Sequence, residues 1–361
     1  MAGRHCGARG GILGCMVRFT VLASGSRGNS TVVCGGQTRI LVDAGLSCRE
    51  LFRRMRAVGE EPEKLDAIIV THEHQDHING LAVTARKLGI PVYFTEATHR
   101  AWMRWLTPRR QMSYAQWLEQ CRKQAAERSV EPSVAIEDEI EEPEAGMAGN
   151  GDGSLPGAAA AASQVNSNGA ARAADSAGGE AAPDEKKPWK DDPTWLPSVE
   201  YFQSGKPFTI GDIAVSPFTI SHDAADPVGF VFSAEGVRMA MATDLGYISP
   251  NVKAQLKRAD LLLLESNHDL EMLRDGPYPW SVKQRVLSRV GHLSNEATAE
   301  FLEQGYDGQA QYVILGHLSE NNNLPELARI GAERALAGKA SLLANRLLLA
   351  CQDEPLSSLQ F

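Results

Sequence analysis

The sequence lacks the features that would place it in a membrane or hold it together by disulfides. No apolar run approaches the roughly 18 residues that cross a bilayer as a helix. The first 16 residues hold too short an apolar patch for a signal peptide, which needs at least about 7 such residues. The six cysteines are scattered and form no CxxC pair, which argues against a disulfide scaffold and a thiolate zinc site. We therefore expect a cytoplasmic protein without a membrane span, with residues 1–16 as an N-terminal extension and Met16 as an alternative start.

The net charge of −9 is concentrated in one segment of the chain. Residues 131–192 hold 14 acidic and 4 basic side chains, which leaves 32 basic and 31 acidic side chains in the rest. The segment is rich in Gly, Ala and Ser, and it has too few large apolar residues to offset the entropy of ordering. We predict a single domain at 17–361 that is interrupted by an insertion at 107–195, with disorder at about 131–192.

Outside this insertion, short β-branched runs alternate with amphipathic segments, which is typical of an α/β chain that has hairpins as well as crossovers. The predicted strands are RFTVLAS, STVVCGG, RILVDAG, DAIIVTH, PVYFT, IAVSPFTISH, PVGFVFSAEG, VRMAMATD, LLLLES, YVILGH and RLLLACQ. The predicted helices are CRELFRRMRAVG, GLAVTARKLG, NVKAQLKRA, SVKQRVLSRV, NEATAEFLEQG and LPELARIGAERALAG.

Several predicted strands end in an ionisable side chain. The carboxyl ends of strands meet loops at an edge of a sheet, where ligands usually lie. We therefore expect one shared site rather than a set of unrelated groups. The residues concerned are Asp43, the cluster THEHQDH at 71–77, His222, Asp244, Glu265 and His317.

The densest part of this set is HEHQDH at 72–77. His72 and His74 can point to the same side of an extended segment, while Asp76 and His77 follow on a turn and can reach a second ion. Imidazole and carboxylate suit Zn²⁺, Mn²⁺ or Fe²⁺, and two cations about 3.5–4 Å apart need roughly six to eight such donors. The alternative, a polar surface loop, does not explain the groups downstream.

These residues resemble the metallo-β-lactamase fold family, because HEHQDH matches its HxHxDH signature and the later groups follow in the family's order. The resemblance implies an α/β (α+β) architecture, an αββα sandwich of two mixed β-sheets flanked by helices. More narrowly, LASGSRGNSTVV, ISHDAADPVGF, LLLLESNHDLEML and LGHLSENNN look like the bacterial YycJ/WalJ-type branch of metal-dependent 5′→3′ DNA exonucleases. The spacing of Glu265, His292 and His317 is also similar to that of the RNase Z-type phosphodiesterases.

The resemblance also implies a set of ligands for two divalent metal ions, Zn²⁺ or Mn²⁺. Asp43 would orient one ligand from behind, a task that matters nearly as much as ligation itself. One ion would be bound by His72, His74 and His222 and the other by Asp76, His77 and His317, with Asp244 bridging the two.

Catalytic roles follow from the same resemblance. A metal-bridged hydroxide would attack phosphorus, and Asp76 would belong to the groups that place it. His292 would donate a proton to the departing 3′-oxygen, and Glu265 would hold its ring in the required tautomer.

Three further residues are candidate substrate contacts. The segment SGSRGNS at 24–30 has glycines that could free main-chain N–H groups to bind phosphate, which makes Asn29 and Ser30 candidates. A tight hairpin turn explains the same residues. His268 is either another active-site group or a histidine of a loop.

Positive and aromatic side chains offer a possible nucleic-acid surface. Tyr278 and Trp280 in GPYPW could stack on bases, although aromatic residues between prolines often pack a loop instead. The arginines could contact phosphates or simply be solvated on helix faces. They are Arg53, Arg54, Arg56, Arg100, Arg104, Arg109 and Arg110.

We therefore expect a hydrolase of DNA phosphodiester bonds, acting as an exonuclease from a 5′ end. One alternative is a small-molecule hydrolase of the same fold, acting on a thioester or lactone. A second is a non-catalytic scaffold in which the insertion recruits a partner. The sequence leaves monomer and dimer equally open.

Overall fold

The computed structural model describes residues 17–107, 119, 122, 192–339 and 346–361. The described residues other than 119 and 122 belong to one compact unit. The predicted extension at 1–16 and nearly all of the insertion predicted at 107–195 fall outside the described residues, so both stay predictions. Among the described residues, no helix is long and apolar enough to cross a membrane. The cytoplasmic location also stays a prediction.

The first sheet begins with antiparallel pairs and continues with parallel ones. Its described strands are β1 (Arg18–Ala23), β2 (Ser30–Cys34), β3 (Arg39–Val42), β4 (Ala67–Ile69), β5 (Pro91–Phe94), β6 (Ser198–Tyr201) and β14 (Leu359–Gln360). They lie in the order β14-β1-β2-β3-β4-β5-β6. Pairing is antiparallel from β14 to β3 and parallel from β3 to β6. The predicted insertion therefore falls within the crossover between β5 and β6.

The second sheet repeats this plan. Its described strands are β7 (Phe208–Ile210), β8 (Ile213–Thr219), β9 (Val228–Ala234), β10 (Val237–Ala242), β11 (Leu261–Glu265), β12 (Tyr312–Gly316) and β13 (Arg346–Leu349). They lie in the order β13-β12-β11-β10-β9-β8-β7, antiparallel from β7 to β10 and parallel from β10 to β13. Central strands such as β11 are buried along their whole length, because layers cover both faces of the sheet.

Helices cover the outer faces of the two sheets. In the described residues the helices are α1 (Cys48–Ala57), α2 (Gln75–Ile78), α3 (Leu81–Leu88), α4 (Glu96–Leu106), α5 (Pro250–Gln255), α6 (Leu270–Asp275), α7 (Trp280–Val286), α8 (Asn295–Glu300) and α9 (Pro325–Leu336). A turn of π-helix at Phe301–Gly305 continues α8, and short 3₁₀ turns occupy Pro62–Lys64 and Ala337–Lys339.

The apolar residues form three layers of core, which is what a four-layer sandwich requires. Phe19 of the first sheet and Phe230 and Ile314 of the second belong to the core between the sheets. Separate cores lie under the helices, with Leu51 of α1 on the first sheet and Ala328 of α9 on the second. The predicted αββα sandwich of two mixed sheets is confirmed.

Helix α1 illustrates how the local sequence specifies an element. The Ser47 hydroxyl accepts a hydrogen bond from the Glu50 N–H and so caps the first turn. Leu51, Phe52 and Met55 form its buried stripe, at spacings that recur on one face of a helix. The helix thus presents one apolar face to the first sheet.

Three loops at one edge of the first sheet are joined by main-chain hydrogen bonds. Asn29 N donates to Asp76 O at 2.7 Å, Ala44 N donates to His77 O at 2.8 Å, and Gly45 N donates to Asn29 O at 3.0 Å. The segments that carry Gly45 and Asp76 approach so closely that a Cβ on Gly45 would lie 1.7 Å from Asp76 O. Only glycine fits there, so Gly45 sets the position of the segment that carries Asp76 and His77.

We predict that Gly45→Ala destabilises the fold. The added methyl group must push the main chain at Asp76 away, and overpacking of this kind lowers the free energy of unfolding by about 1–3 kcal/mol. Urea denaturation with an unchanged m-value would measure the loss. The control is Gly331→Ala in α9, where the new Cβ meets only Ala299 Cβ at 4.0 Å and should stabilise the helix by about 0.5–1 kcal/mol. Equal stability of the two variants would contradict the prediction.

Candidate metal centre

The ionisable groups that end the predicted strands converge at one place. Each follows or ends a strand of one of the two sheets, and the parallel strands β3, β4, β10, β11 and β12 deliver most of them. All except His74 and Asp76 are buried. The converging residues are Asp43, His72, His74, Asp76, His77, His222, Asp244, Glu265 and His317.

Three histidines form the first group of potential ligands. One ring nitrogen from each of His72, His74 and His222 lies within 4.8 Å of the others, and His222 Nε2 is 3.2 Å from His74 Nδ1. His222 Nδ1 donates to the Gly291 carbonyl at 3.2 Å, which leaves its Nε2 unprotonated in the neutral ring. That lone pair is directed toward the other two rings.

Asp76, His77, Asp244 and His317 form the second group. His77 Nε2 lies 3.4 Å from Asp76 Oδ2 and 3.3 Å from Asp244 Oδ2. His317 Nε2 lies 3.6 Å from Asp76 Oδ2. These separations suit atoms that share one cation, and the mixed nitrogen and oxygen donors suit Zn²⁺ or Mn²⁺.

Asp43 orients two of the candidate ligand rings through their Nδ1 atoms, directly for His77 and through Thr71 for His72. Its Oδ2 lies 2.8 Å from both His77 Nδ1 and Thr71 Oγ1, and its Oδ1 accepts from Thr71 N at 2.8 Å. Because the Thr71 hydroxyl donates to Asp43, it is free to accept from His72 Nδ1 at 3.0 Å. The arrangement leaves the Nε2 atoms of His72 and His77 for a metal, which is how an outer carboxylate orients a ligand.

Glu265 performs the same task on the second sheet. Its Oε1 accepts from His317 Nδ1 at 2.8 Å and from His292 Nδ1 at 2.7 Å. Its Oε2 accepts from the main-chain N–H groups of Leu245 and Leu293. The contact with His292 agrees with the predicted role, whereas the contact with His317 was not anticipated from the sequence.

Three of these residues adopt a backbone conformation that is uncommon for side chains other than glycine. Asp43, Asp244 and His317 have φ angles of 58°, 60° and 56°. Each follows directly on a strand, and a left-handed residue there turns the chain sharply. Such conformations typically cost about 1–3 kcal/mol and cluster at functional sites.

Burial and the buried carboxylates set the protonation of the rings. Burial lowers the pKa of His72 and of His222, which keeps both rings neutral. Burial would also lower the pKa of His77 and His317, but nearby carboxylates, Asp244 first among them, outweigh it and raise both well above the usual value. The second group therefore attracts positive charge, and a metal ion that binds there must displace protons.

The donor atoms fit divalent cations. Among the described residues, His72 Nε2, Asp244 Oδ2 and His317 Nε2 are buried and have no hydrogen-bond partner in the protein. Buried polar atoms are nearly always satisfied, and these three belong to the two groups of ligand atoms. Cations between those atoms would satisfy them all.

The segment 24–30 serves the fold rather than forming a phosphate cradle. It connects β1 and β2 as a hairpin, which is the alternative proposed above. The N–H groups of Gly25, Arg27, Gly28 and Asn29 all donate to protein acceptors. Ser30 is buried and its hydroxyl donates to Asn29 O at 2.6 Å, so the geometry favours a structural role for it.

Asn29 contacts two of the potential ligands. Its Nδ2 lies 3.0 Å from Gly25 O, from Asp76 Oδ2 and from His77 Nε2. The two amide hydrogens serve the two oxygens, which leaves His77 Nε2 for a metal ion. The side chain therefore fixes Asp76, a role that sequence reasoning missed because residues 29 and 76 are distant in the chain.

His268 is enclosed in the loop that follows β11. It is 1% exposed, its Nε2 has no hydrogen-bond partner, and burial lowers its pKa to about 4. Its carbonyl accepts from Asn295 N at 2.8 Å, and Asn323 donates to Asn267 O and bonds to the Asn295 amide. This placement favours the loop alternative over contact with substrate.

The predicted arginine patches are mostly neutralised within the protein. Arg54 is buried, and its guanidinium donates to Glu50 and to two main-chain carbonyls, so it cannot contact a phosphate. Arg109 and Arg110 lie outside the described residues. Pairs with a nearby glutamate are made by Arg53, Arg56 and Arg100.

Comparison with known proteins gives matches over most of the chain. Residues 23–162 match the family model of the metallo-beta-lactamase superfamily, and residues 185–318 match that of the beta-lactamase superfamily domain. The chain is 31% identical to exodeoxyribonuclease WalJ of Streptococcus pneumoniae over 89% of this chain and 88% of that protein. It is 32% identical to exodeoxyribonuclease YycJ of Bacillus anthracis, over 90% of each.

The fold also has relatives among solved structures. The metallo-beta-lactamase fold protein YhfI from Bacillus subtilis aligns with a TM-score of 0.54 at 14% identity, over 96% of this chain and 100% of that one. PqqB from Methylobacterium extorquens aligns with a TM-score of 0.50 at 13% identity, over 94% and 99%. At this level of identity the likeness concerns the fold alone.

We predict that Asn29→Ala weakens metal binding by about 10- to 100-fold, as is usual when an outer partner of a ligand is removed. Competition with a chromophoric chelator would measure the affinity. Ser26→Ala is the control, since Ser26 is exposed in the same hairpin. An unchanged metal affinity together with a raised KM for substrate would contradict this role and would support Asn29 as a substrate contact.

Proposed function

Because the chain belongs to the metallo-β-lactamase superfamily, and within it to the family of the WalJ and YycJ exodeoxyribonucleases, we propose that it hydrolyses phosphodiester bonds at the ends of DNA. The single observation that carries the proposal is the presence of two adjacent groups of potential ligand atoms, His72, His74 and His222 in one and Asp76, His77, Asp244 and His317 in the other, with the rings of His72 and His77 only 4.1 Å apart. The 5′→3′ direction rests on the resemblance noted from the sequence.

The proposed site holds two divalent cations. His72, His74 and His222 would hold one of them, Asp76, His77 and His317 would hold the other, and Asp244 would be shared. When bound, such cations lower the pKa of water and neutralise charge on phosphoryl oxygens. Zn²⁺ and Mn²⁺ both suit these donors.

His292 is the proposed general acid. Its side chain is 20% exposed, and because Nδ1 donates to Glu265, its Nε2 is free to hold a proton for the departing 3′-oxygen. Burial would raise the pKa of Glu265, but His292 and His317 outweigh it and lower it to about 2. The ionised carboxylate therefore accepts the Nδ1–H of His292 and holds the ring in one orientation.

The substrate can be tested directly. Purified protein is incubated with Mn²⁺ or Zn²⁺ and 5′-phosphorylated duplex DNA, single-stranded DNA, RNA or a panel of thioesters and lactones. We expect release of nucleotides from DNA, and its loss in Asp76→Ala because that variant removes a ligand. Asp275→Ala, which removes an exposed carboxylate of α6, should retain activity. Turnover of thioesters or lactones without cleavage of DNA would support the small-molecule alternative.

We predict that His292→Ala lowers kcat by about 10²- to 10⁴-fold, the usual contribution of a general acid, and keeps its metal content. The loss should shrink on a diester with a p-nitrophenyl leaving group, which departs without a proton. His292 also lies in a third group of close ligand atoms with Asp244, Glu265 and His317. Loss of metal from the variant would therefore make His292 a ligand and refute its role as an acid.

A further inference from the structure

The segment from Gly276 to Asn295 has an unusual charge for this chain. It contains Lys283, Arg285 and Arg289 and no acidic residue, in a protein of net charge −9. Phosphates are attracted to such a stretch by charge alone. His292, the proposed general acid, lies near its carboxyl end.

The same segment exposes apolar side chains. Helix α7 has no buried residue, and Trp280, Leu287 and Val290 are 65%, 50% and 45% exposed. The Trp280 ring makes no ring or cation contact with any described residue. Its position on the first turn of an exposed helix therefore argues against loop packing for Trp280, whereas Tyr278 is half-buried and its hydroxyl accepts a hydrogen bond from Asn321.

The exposed helix is attached to the catalytic groups at its carboxyl end. His292 N donates to Val286 O at 3.0 Å, and Asp223 N donates to Val290 O at 3.0 Å. Asp223 pairs with Arg285, and its neighbour His222 donates to the Gly291 carbonyl. These contacts join the carboxyl end of the segment to the loops that carry His222 and His292, so a chain bound along the segment would lead toward His292.

We propose that α7 and the turn after it, residues 280–290, bind an unpaired DNA strand, with Trp280 stacking on a base. The inference rests on the proposed function and adds that the DNA bound at this surface is single-stranded. Inside a duplex both faces of every base are covered by stacking, so a base within a strand can stack on the exposed ring only when it is unpaired. Aromatic stacking with nearby cations is the usual combination for single strands, and it favours this occupant over a protein partner.

Two positively charged side chains of the segment are available to contact phosphates of the bound strand. Arg289 lies over the Tyr247 ring at 4.2 Å, and a guanidinium held by a ring keeps its N–H groups for phosphate. Lys283 donates to the carbonyl of Arg274, which restrains it without neutralising its charge. These two residues are the proposed phosphate contacts beside Trp280.

The test compares oligothymidylate with an abasic strand of the same length, each labelled, by fluorescence anisotropy with metal-loaded protein. Trp280→Ala should weaken binding of oligothymidylate by roughly 5- to 100-fold, the range for one stacked base. Binding of the abasic strand should not change. Lys283→Ala should weaken both strands and lower the salt dependence of log affinity by about 0.7. Trp105→Ala is the matched control, since Trp105 is 55% exposed on α4.

The outcomes separate this inference from the proposed function. Wild-type protein that degrades DNA, while Trp280→Ala binds oligothymidylate normally, would overturn the inference alone. Equal weakening on oligothymidylate and on the abasic strand would also overturn it, because stacking needs a base. Wild-type protein that degrades no DNA would defeat the proposed function itself. In kinetics on single strands, the expected loss appears as a higher KM rather than a lower kcat.

Discussion

The buried carboxylate of Asp244 is the group on which the rest of the site depends. It is 2% exposed, its Oδ2 has no hydrogen-bond partner in the protein, and it lies 3.3 Å from both His77 Nε2 and His317 Nδ1. Burial alone would raise its pKa, but the positive charge of His317 and His77 outweighs burial and lowers it well below the usual value. A buried negative charge must be matched, and the proposed divalent cations would match it while leaving the imidazoles neutral.

The surrounding structure serves to hold that charge and its ligands in place. Asp43 in the first sheet and Glu265 in the second each accept from a ligand ring, so both sheets contribute one orienting carboxylate. Main-chain hydrogen bonds join the loops around Gly45. Asp43, Asp244 and His317 each turn the chain sharply in the left-handed conformation where a strand ends. The fold thus holds the candidate ligands in fixed positions at one edge of the sandwich.

Much of this could be predicted from the sequence. Short runs rich in β-branched and other apolar residues identified the buried strands, and the HxHxDH spacing identified the candidate ligands, because both signals are local. Strands β6, β7 and β14 were missed: β6 and β7 carry few buried residues and β14 is only Leu359–Gln360. The pairing of Asn29 with Asp76 and the sharing of Glu265 by His292 and His317 depend on tertiary contacts. No spacing in the chain signals them.

The central claim is that two cations are held jointly by these imidazoles and carboxylates. Its most direct test is elemental analysis by mass spectrometry after the protein has been stripped, reconstituted and desalted. The account predicts about two equivalents of Zn²⁺ or Mn²⁺ per chain, as in two-metal hydrolases. Less than one equivalent after reconstitution of folded protein would contradict it.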